Sequence, residues 1–139
     1  ESPVFLRFFP ARLIMSETKQ KSVLVIENDD AILKSLSNQL KKRGMLPITA
    51  RDGYEGYARV CNESPDLIVA ETLLPSVDGY RLSRLLKFDD RFKDIPIILM
   101  TTNKLESVKS KIEPSGANEI IGKPFRFRDL MTLIEKVSK

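Results

Sequence analysis

Residues 65–80, PDLIVAETLLPSVDGY, decide how this chain is to be read. Pro65 and Asp66 stop the segment before them. Leu67-Ile68-Val69-Ala70 is an unbroken, β-branched-rich apolar run of the kind a strand needs when both of its faces are covered. It ends on an acid, Glu71. A loop through Pro75 and the turn pair Asp78-Gly79 then leads into a helix carrying Leu82, Leu85 and Leu86.

The same unit recurs in both directions. Upstream, Val23-Leu24-Val25-Ile26 is a second buried run, followed by polar Glu27-Asn28-Asp29-Asp30. Ile32, Leu33, Leu36 and Leu40 then recur at helical spacing, with Asn28 or Asp29 able to cap that helix and Gly44 able to end it. A strand fits Leu46 to Ala50. Asp52-Gly53 turns into a helix expected to present Tyr54, Tyr57, Ala58 and Cys61 on one face. Downstream, Ile97-Ile98-Leu99-Met100 ends at Thr101. The next helix carries Leu105, Val108 and Ile112 and stops near Pro114 and Gly116. Glu119-Ile120-Ile121 is a short last strand before Lys123-Pro124, and the final helix buries Leu130, Leu133, Ile134 and Val137. Five strand–helix units of this kind predict an α/β protein with a parallel sheet and helices on both faces.

Composition agrees. The 139 residues suit one domain, with 42% hydrophobic and 30% charged residues. The chain has no histidine, which removes Ser–His and Cys–His catalysis and His-ligated zinc. Its single cysteine, Cys61, allows no intramolecular disulfide and fits a reducing, cytoplasmic setting. No apolar run reaches the length of a membrane span. The net charge of +4 is mild and is expected to lie on solvated helix faces.

Residues 1–20 read apart from the domain at 21–139. Phe5, Leu6, Phe8 and Phe9 lie beside Arg7 and Arg12, and Pro10 interrupts any helix. The segment is either a targeting leader or an extension added ahead of a natural start at Met15, and it is expected to be poorly ordered. A leader is the weaker reading, because the apolar run is short and no small-residue cleavage site follows it.

In parallel sheets, reactive groups gather beyond the carboxyl ends of the strands. Here those ends carry Glu27-Asn28, Glu71, Thr101 and Lys123. Two carboxylates, a hydroxyl and an ammonium in one place suit Mg²⁺ and a phosphoryl group: oxygens hold the hard cation, while Thr and Lys hydrogen-bond the phosphoryl oxygens.

The segments VLVIENDDAI, PDLIVAETLLPSVDGY, IPIILMTT and GANEIIGKPF together resemble the receiver domain of bacterial response regulators, over roughly Ser22 to Ser138. The resemblance implies a flavodoxin-like (βα)5 fold with sheet order 2-1-3-4-5. It also implies a switch in which an aspartyl phosphate, Mg²⁺, a Ser/Thr and a Lys rearrange the face formed by the fourth helix, fifth strand and fifth helix. Carried onto this chain, the metal-binding acid pair falls on Glu27 and Asn28, and the phosphoacceptor falls on Glu71. The phosphoryl contacts fall on Thr101 and Lys123, Lys123-Pro124 matches a step that is often cis, and the aromatic switch residue falls on Ile120.

Three of those six positions depart from the pattern: Asn28, Glu71 and Ile120. Asn28 removes one formal charge from a Mg²⁺ nest of Glu27, Asn28 and Glu71, which weakens it unless the adjacent Asp29 substitutes. A second frame, with Asp29-Asp30 as the acid pair, requires a longer first strand. Glu71 sets its carboxylate one methylene farther out, and a displacement near 1 Å can cost about 10²-fold in a transfer that depends on positioning. The longer side chain is instead expected to reach Thr101 and Lys123. Ile120 lacks the family's swinging ring, although it also reads simply as core.

The reading that follows is a protein-binding receiver not governed by phosphorylation, with Glu71 paired to Lys123 and no catalytic residue. The bland alternative is a relic pair that merely neutralises a cleft. A conventional receiver phosphorylated by a histidine kinase at an acid of the same pocket stays open. So does a basic nucleic-acid-binding module, since Arg126, Phe127 and Arg128 combine basic and aromatic groups beside Lys104, Lys109 and Lys111. Those residues are better read as a protein-docking face. A flavin or nucleotide enzyme is not expected, because no Gly-rich phosphate loop follows any strand.

Overall fold

A computed structural model describes residues 20–138. The leader expectation falls on residues outside that range. The elements run β1 (Ser22–Ile26), α1 (Asp30–Lys42), β2 (Leu46–Ala50), α2 (Gly53–Glu63), β3 (Leu67–Glu71), α3 (Gly79–Lys87), β4 (Ile97–Thr101), a 3₁₀ turn (Leu105–Val108), α4 (Lys109–Ser115), β5 (Glu119–Gly122) and α5 (Phe127–Val137). The five strands are all parallel, in the order β2-β1-β3-β4-β5, which is the flavodoxin-like arrangement expected.

Alternation along the strands divides the core in two. Val23, Val25, Leu67, Val69, Ile98 and Met100 face α1 and α5, where they meet Leu33, Leu36, Leu40, Leu130 and Ile134. Leu24, Ile26, Ile68, Ala70, Ile97 and Leu99 face the opposite way, onto Val60 of α2 and Leu82 and Leu86 of α3. With both faces covered, each inner strand is apolar throughout, so the sequence shows unbroken runs there.

Asp29 caps α1, accepting from the N–H groups of Ala31 (2.9 Å) and Ile32 (3.1 Å). The helix ends against Gly44, whose φ of +81° suits glycine. The apolar face expected for α2 is corrected. Gly53, Gly56 and Val60 are buried, whereas Tyr54 and Cys61 are exposed. The cause is close packing on β1: a Cβ at Gly56 would lie 2.5 Å from Ile26 Cδ1, so the small residues set the buried face. In α3, Leu82 and Leu86 are buried but Leu85 is exposed. The fourth helix begins as a 3₁₀ turn and carries Pro114 inside it, ending at Gly116 rather than at the proline. A buried hydrogen bond from Ser83 Oγ to the Ser115 carbonyl (2.9 Å) ties α3 to α4.

Gly79 opens α3 directly over the end of β3. A Cβ there would sit 2.4 Å from the Glu71 carbonyl oxygen and 2.9 Å from Thr72 Cα. Gly122, on β5, has open space around its own Cβ position. Gly79→Ala should therefore lower unfolding free energy by about 2 kcal/mol or more, and Gly122→Ala should change it by less than about 0.5 kcal/mol. Urea denaturation followed by circular dichroism measures both.

Candidate functional site

The site forms where the strand order reverses, between β1 and β3. Ile26 lies opposite Ala70, so the next residues, Glu27 and Glu71, come side by side at the sheet's carboxyl edge. Lys123 leaves β5 two strands away, beyond the end of β4. Its long side chain crosses that end, and its Nζ donates to Glu27 Oε1 (2.7 Å) and to Glu71 Oε1. All three side chains are buried, the lysine 10% exposed and the two glutamates 2% and 6%.

One cation and two anions leave a negative excess that the fold meets with dipoles. The Asp29 N–H donates to Glu27 Oε2 (3.1 Å). Glu71 Oε2 accepts from the Leu73 N–H (2.9 Å) and from the Thr72 hydroxyl (3.1 Å). Every carboxylate oxygen thus has a protein donor, the condition under which a buried ion cluster is tolerated. Burial by itself would lower the Lys123 ammonium. Its hydrogen bonds to Glu27 and Glu71 and their charges outweigh that, and its pKa stands above the usual lysine value.

The remaining expected residues are distributed differently. Asn28 is exposed, with its side chain held by no other described residue. Asp29 is spent on capping α1 and does not replace the missing acid. The second frame fails too, since β1 ends at Ile26 and Asp30 is already helical and paired with Arg51. Thr101 is fully buried but does not meet Glu71; its Oγ1 accepts from the Asn103 N–H (3.1 Å). Strand alternation explains the miss. Glu71 follows Val69 toward the α1/α5 side, whereas Thr101 follows Leu99 toward α3.

Tyr80, which the sequence did not single out, occupies the place beside Thr101. Its hydroxyl is buried and has no hydrogen-bond partner among the described residues. Burial pushes its pKa up, and the Thr101 and Thr72 hydroxyls, close by without completing a bond, pull the other way. The signal for this was present: Asp78 caps α3 through the Arg81 N–H, and a capped Asp-Gly start places the next residue over the strand ends. Ile120 is half-buried in the same core cluster, as its core reading requires. The Lys123–Pro124 peptide is cis.

The donor set does not fit Mg²⁺ as it stands. Glu27 and Glu71 point at an ammonium, the position of the missing acid is an exposed amide, and Asp29 is engaged elsewhere. Among the described residues no three His, Cys, Asp or Glu side chains are grouped to hold a metal. A groove of about 510 Å³ opens beside Lys123, between Ile32 and Leu36 of α1 and Pro124, Phe125 and Phe127.

Of the expected docking residues, Lys104, Lys109, Arg126 and Arg128 are exposed. Phe127 is corrected: it is half-buried against the α1-side core, with the Arg43 guanidinium 5.6 Å from its ring centroid. No described helix is long and apolar enough to cross a membrane.

Comparison with known proteins agrees with this architecture. The family model for the response regulator receiver domain matches residues 23–135. PilG of Pseudomonas aeruginosa is 30% identical over 113 residues, which span 81% of this chain and 84% of that protein. The transcriptional regulator RpaA of Synechocystis is 33% identical over 114 residues, 81% of this chain but 46% of RpaA. This chain therefore spans about half the length of RpaA, and about half of the phosphate regulon regulator PhoB of P. aeruginosa. Among solved structures, the receiver domain of a signal transduction histidine kinase from Syntrophus aciditrophicus superposes with a TM-score of 0.80 at 27% identity, covering 85% of this chain and 89% of that one. CheY4 of Vibrio cholerae gives 0.80 at 24% identity, covering 86% and 99%, a likeness of fold alone. The chain belongs to the receiver domains of two-component signalling.

Replacing Lys123 by Met should destabilise the fold by about 3–5 kcal/mol, because two buried carboxylates lose their shared cation. The pH dependence follows from the raised lysine pKa. The lysine's contribution is fully present below the unfolded lysine value of 10.5 and is lost as pH rises through the higher folded value. Denaturation of both proteins from neutral pH upward should give a constant difference that shrinks only in strong alkali.

Proposed function

We propose that this receiver is a protein-binding module whose site is held closed by an internal ion cluster and does not work by phosphorylation. The observation that carries this reading is the Lys123 ammonium bonded at once to Glu27 and Glu71 in a buried setting. Glu71 stands at the acceptor position, and its Oε1 is already bound to the cation that would otherwise meet a transferred phosphoryl group. Its Oε2 is tied to its own loop through Leu73 and Thr72. A nucleophile clamped at both oxygens and set one methylene too far out is badly placed for in-line attack.

The same clamp fixes one arrangement of the switch. The lysine bonds carboxylates rather than a phosphoryl group, Thr101 binds its own loop, and the fifth strand offers aliphatic Ile120 where the family's switch has an aromatic. A partner then reads a constant surface. Receiver domains typically engage histidine kinases and other proteins, and the exposed Lys104, Lys109, Arg126 and Arg128 give this one a basic face for an acidic partner surface. Neither an enzymatic role nor a bound cofactor is needed for this function.

The test is chemical. Treated with acetyl phosphate and Mg²⁺, the protein should show no stoichiometric acyl phosphate by intact-mass spectrometry, with any labelling slower by about 10²-fold or more than in a conventional receiver. Glu71→Asp combined with Asn28→Asp should restore Mg²⁺-dependent labelling. A stable, stoichiometric adduct on the wild-type protein would instead show a receiver that still accepts phosphoryl groups and would overturn this reading. An inert double variant would show that the two substitutions do not account for the defect.

A further inference from the structure

On the face of the sheet away from the α1–α5 groove, α3 lies between α2 and α4 with part of its apolar surface uncovered. Tyr54 is 75% exposed, Leu85 53% and Phe88 78%. They line a broad groove of about 1220 Å³ together with Arg81, Arg84 and Lys111. That volume exceeds the roughly 300–1,000 Å³ usual for small-molecule pockets, and three large exposed apolar side chains lining one groove are the mark of an interaction surface.

Charge says which partner. Three acids also line the groove; Asp78 and Asp89 are held by hydrogen bonds within the fold, whereas Asp90 is an exposed rim group with only a loose approach to Lys93. Asp78 caps α3 through the Arg81 N–H (2.9 Å). Asp89 is held by the Arg91 side chain (2.8 and 3.1 Å), and Asp90 faces Lys93 at 3.7 Å. Arg81, Arg84 and Lys111 make no ion pair among the described residues. Two of these cations lie over aromatic rings, Arg84 5.7 Å from the Phe88 centroid and Lys111 5.7 Å from that of Tyr80. The groove therefore sets exposed apolar side chains beside three cations that have no ion-pair partner among the described residues.

We propose that this α2–α3–α4 groove is a docking surface for an acidic amphipathic helix of a partner protein. Leu or Phe side chains on one helical face would cover Leu85, Phe88 and Tyr54, and flanking carboxylates would meet Arg81, Arg84 and Lys111. The chain's own residues 1–19 suit the groove less well, because Arg7, Arg12 and Lys19 outnumber Glu1 and Glu17. A second copy suits it less too, since each copy carries a net charge of +4. The surface is separate from the Glu27–Lys123–Glu71 cluster and does not depend on that site being closed.

The test uses the full chain, ¹⁵N-labelled, and a synthetic helical peptide of about 18 residues, five turns, with Leu and Phe at i, i+3, i+4 and i+7 and Glu on both flanks. The same peptide with Lys in place of Glu is the control. The Glu peptide should shift amide signals around Tyr54, Arg84, Leu85, Phe88 and Lys111. Its affinity should fall by roughly tenfold or more between about 0.05 and 0.3 M salt, as exposed charge pairs do. Phe88→Ala, and Arg84→Glu with Lys111→Glu, should each weaken it by roughly tenfold or more. These are surface changes, so unchanged thermal melts would assign the loss to docking. The proposal is overturned by equal binding of the Lys peptide, by shifts mapping to the α1–α5 groove, by no binding of the Glu peptide at low salt, or by concentration-dependent dimerisation that Phe88→Ala abolishes.

Discussion

A single ammonium joins the carboxyl ends of three strands in this protein. Lys123 crosses from β5, over the end of β4, to Glu71 at the end of β3 and Glu27 just past β1. Parallel sheets leave strand ends bare, so something must satisfy the polar groups collected there. In this chain the satisfaction is internal. Two glutamates and one lysine take each other as partners, and three nearby donors complete the carboxylate shells. Pairs of this kind add little net stability compared with an apolar filling, but removing one member strands the rest. The cluster therefore fixes arrangement more than it strengthens the fold.

Its neighbours follow from where each carboxylate is committed. The loop after β3 is drawn in through Leu73 and Thr72, which sets the approach to α3, and Gly79 lets that helix start against the strand backbone. Tyr80 is then carried over Thr101, on the side of the sheet opposite the glutamate. The site is thereby split in two: an ionic half facing α1 and α5, and a hydroxyl half facing α3. In the ionic half, carboxylates meet an ammonium; in the other, the Tyr80 phenol borders the threonine.

Much of this could be read in the sequence. The unbroken runs at 23–26, 67–70 and 97–100 are what strands covered on both faces require, and the polar residue ending each run marked the site. The Glu71–Lys123 pairing was legible because an extra methylene has a definite consequence for reach. Other parts were not. The buried face of α2 was misjudged because tyrosines outweigh glycines in any hydrophobic pattern, while close packing on Ile26 favours the glycines. The expected Glu71–Thr101 contact failed because both residues end strands, yet their side chains leave opposite faces of the sheet. That depends on the register of β3 against β4, which spacing along the chain does not specify. Asp29 shows a third limit: an acid beside a metal position is equally good as a helix cap, and here the cap takes it.

The central claim concerns the protonated amine of Lys123, which can be observed directly. An NMR experiment that detects lysine ¹⁵N-ammonium groups at neutral pH should show one signal set apart from the solvent-exposed lysines by slow proton exchange. It should disappear in Lys123→Met and remain in place when Mg²⁺ is added in excess. A spectrum with no protected ammonium, or a protected one that Mg²⁺ releases into the exposed group, would contradict the closed cluster.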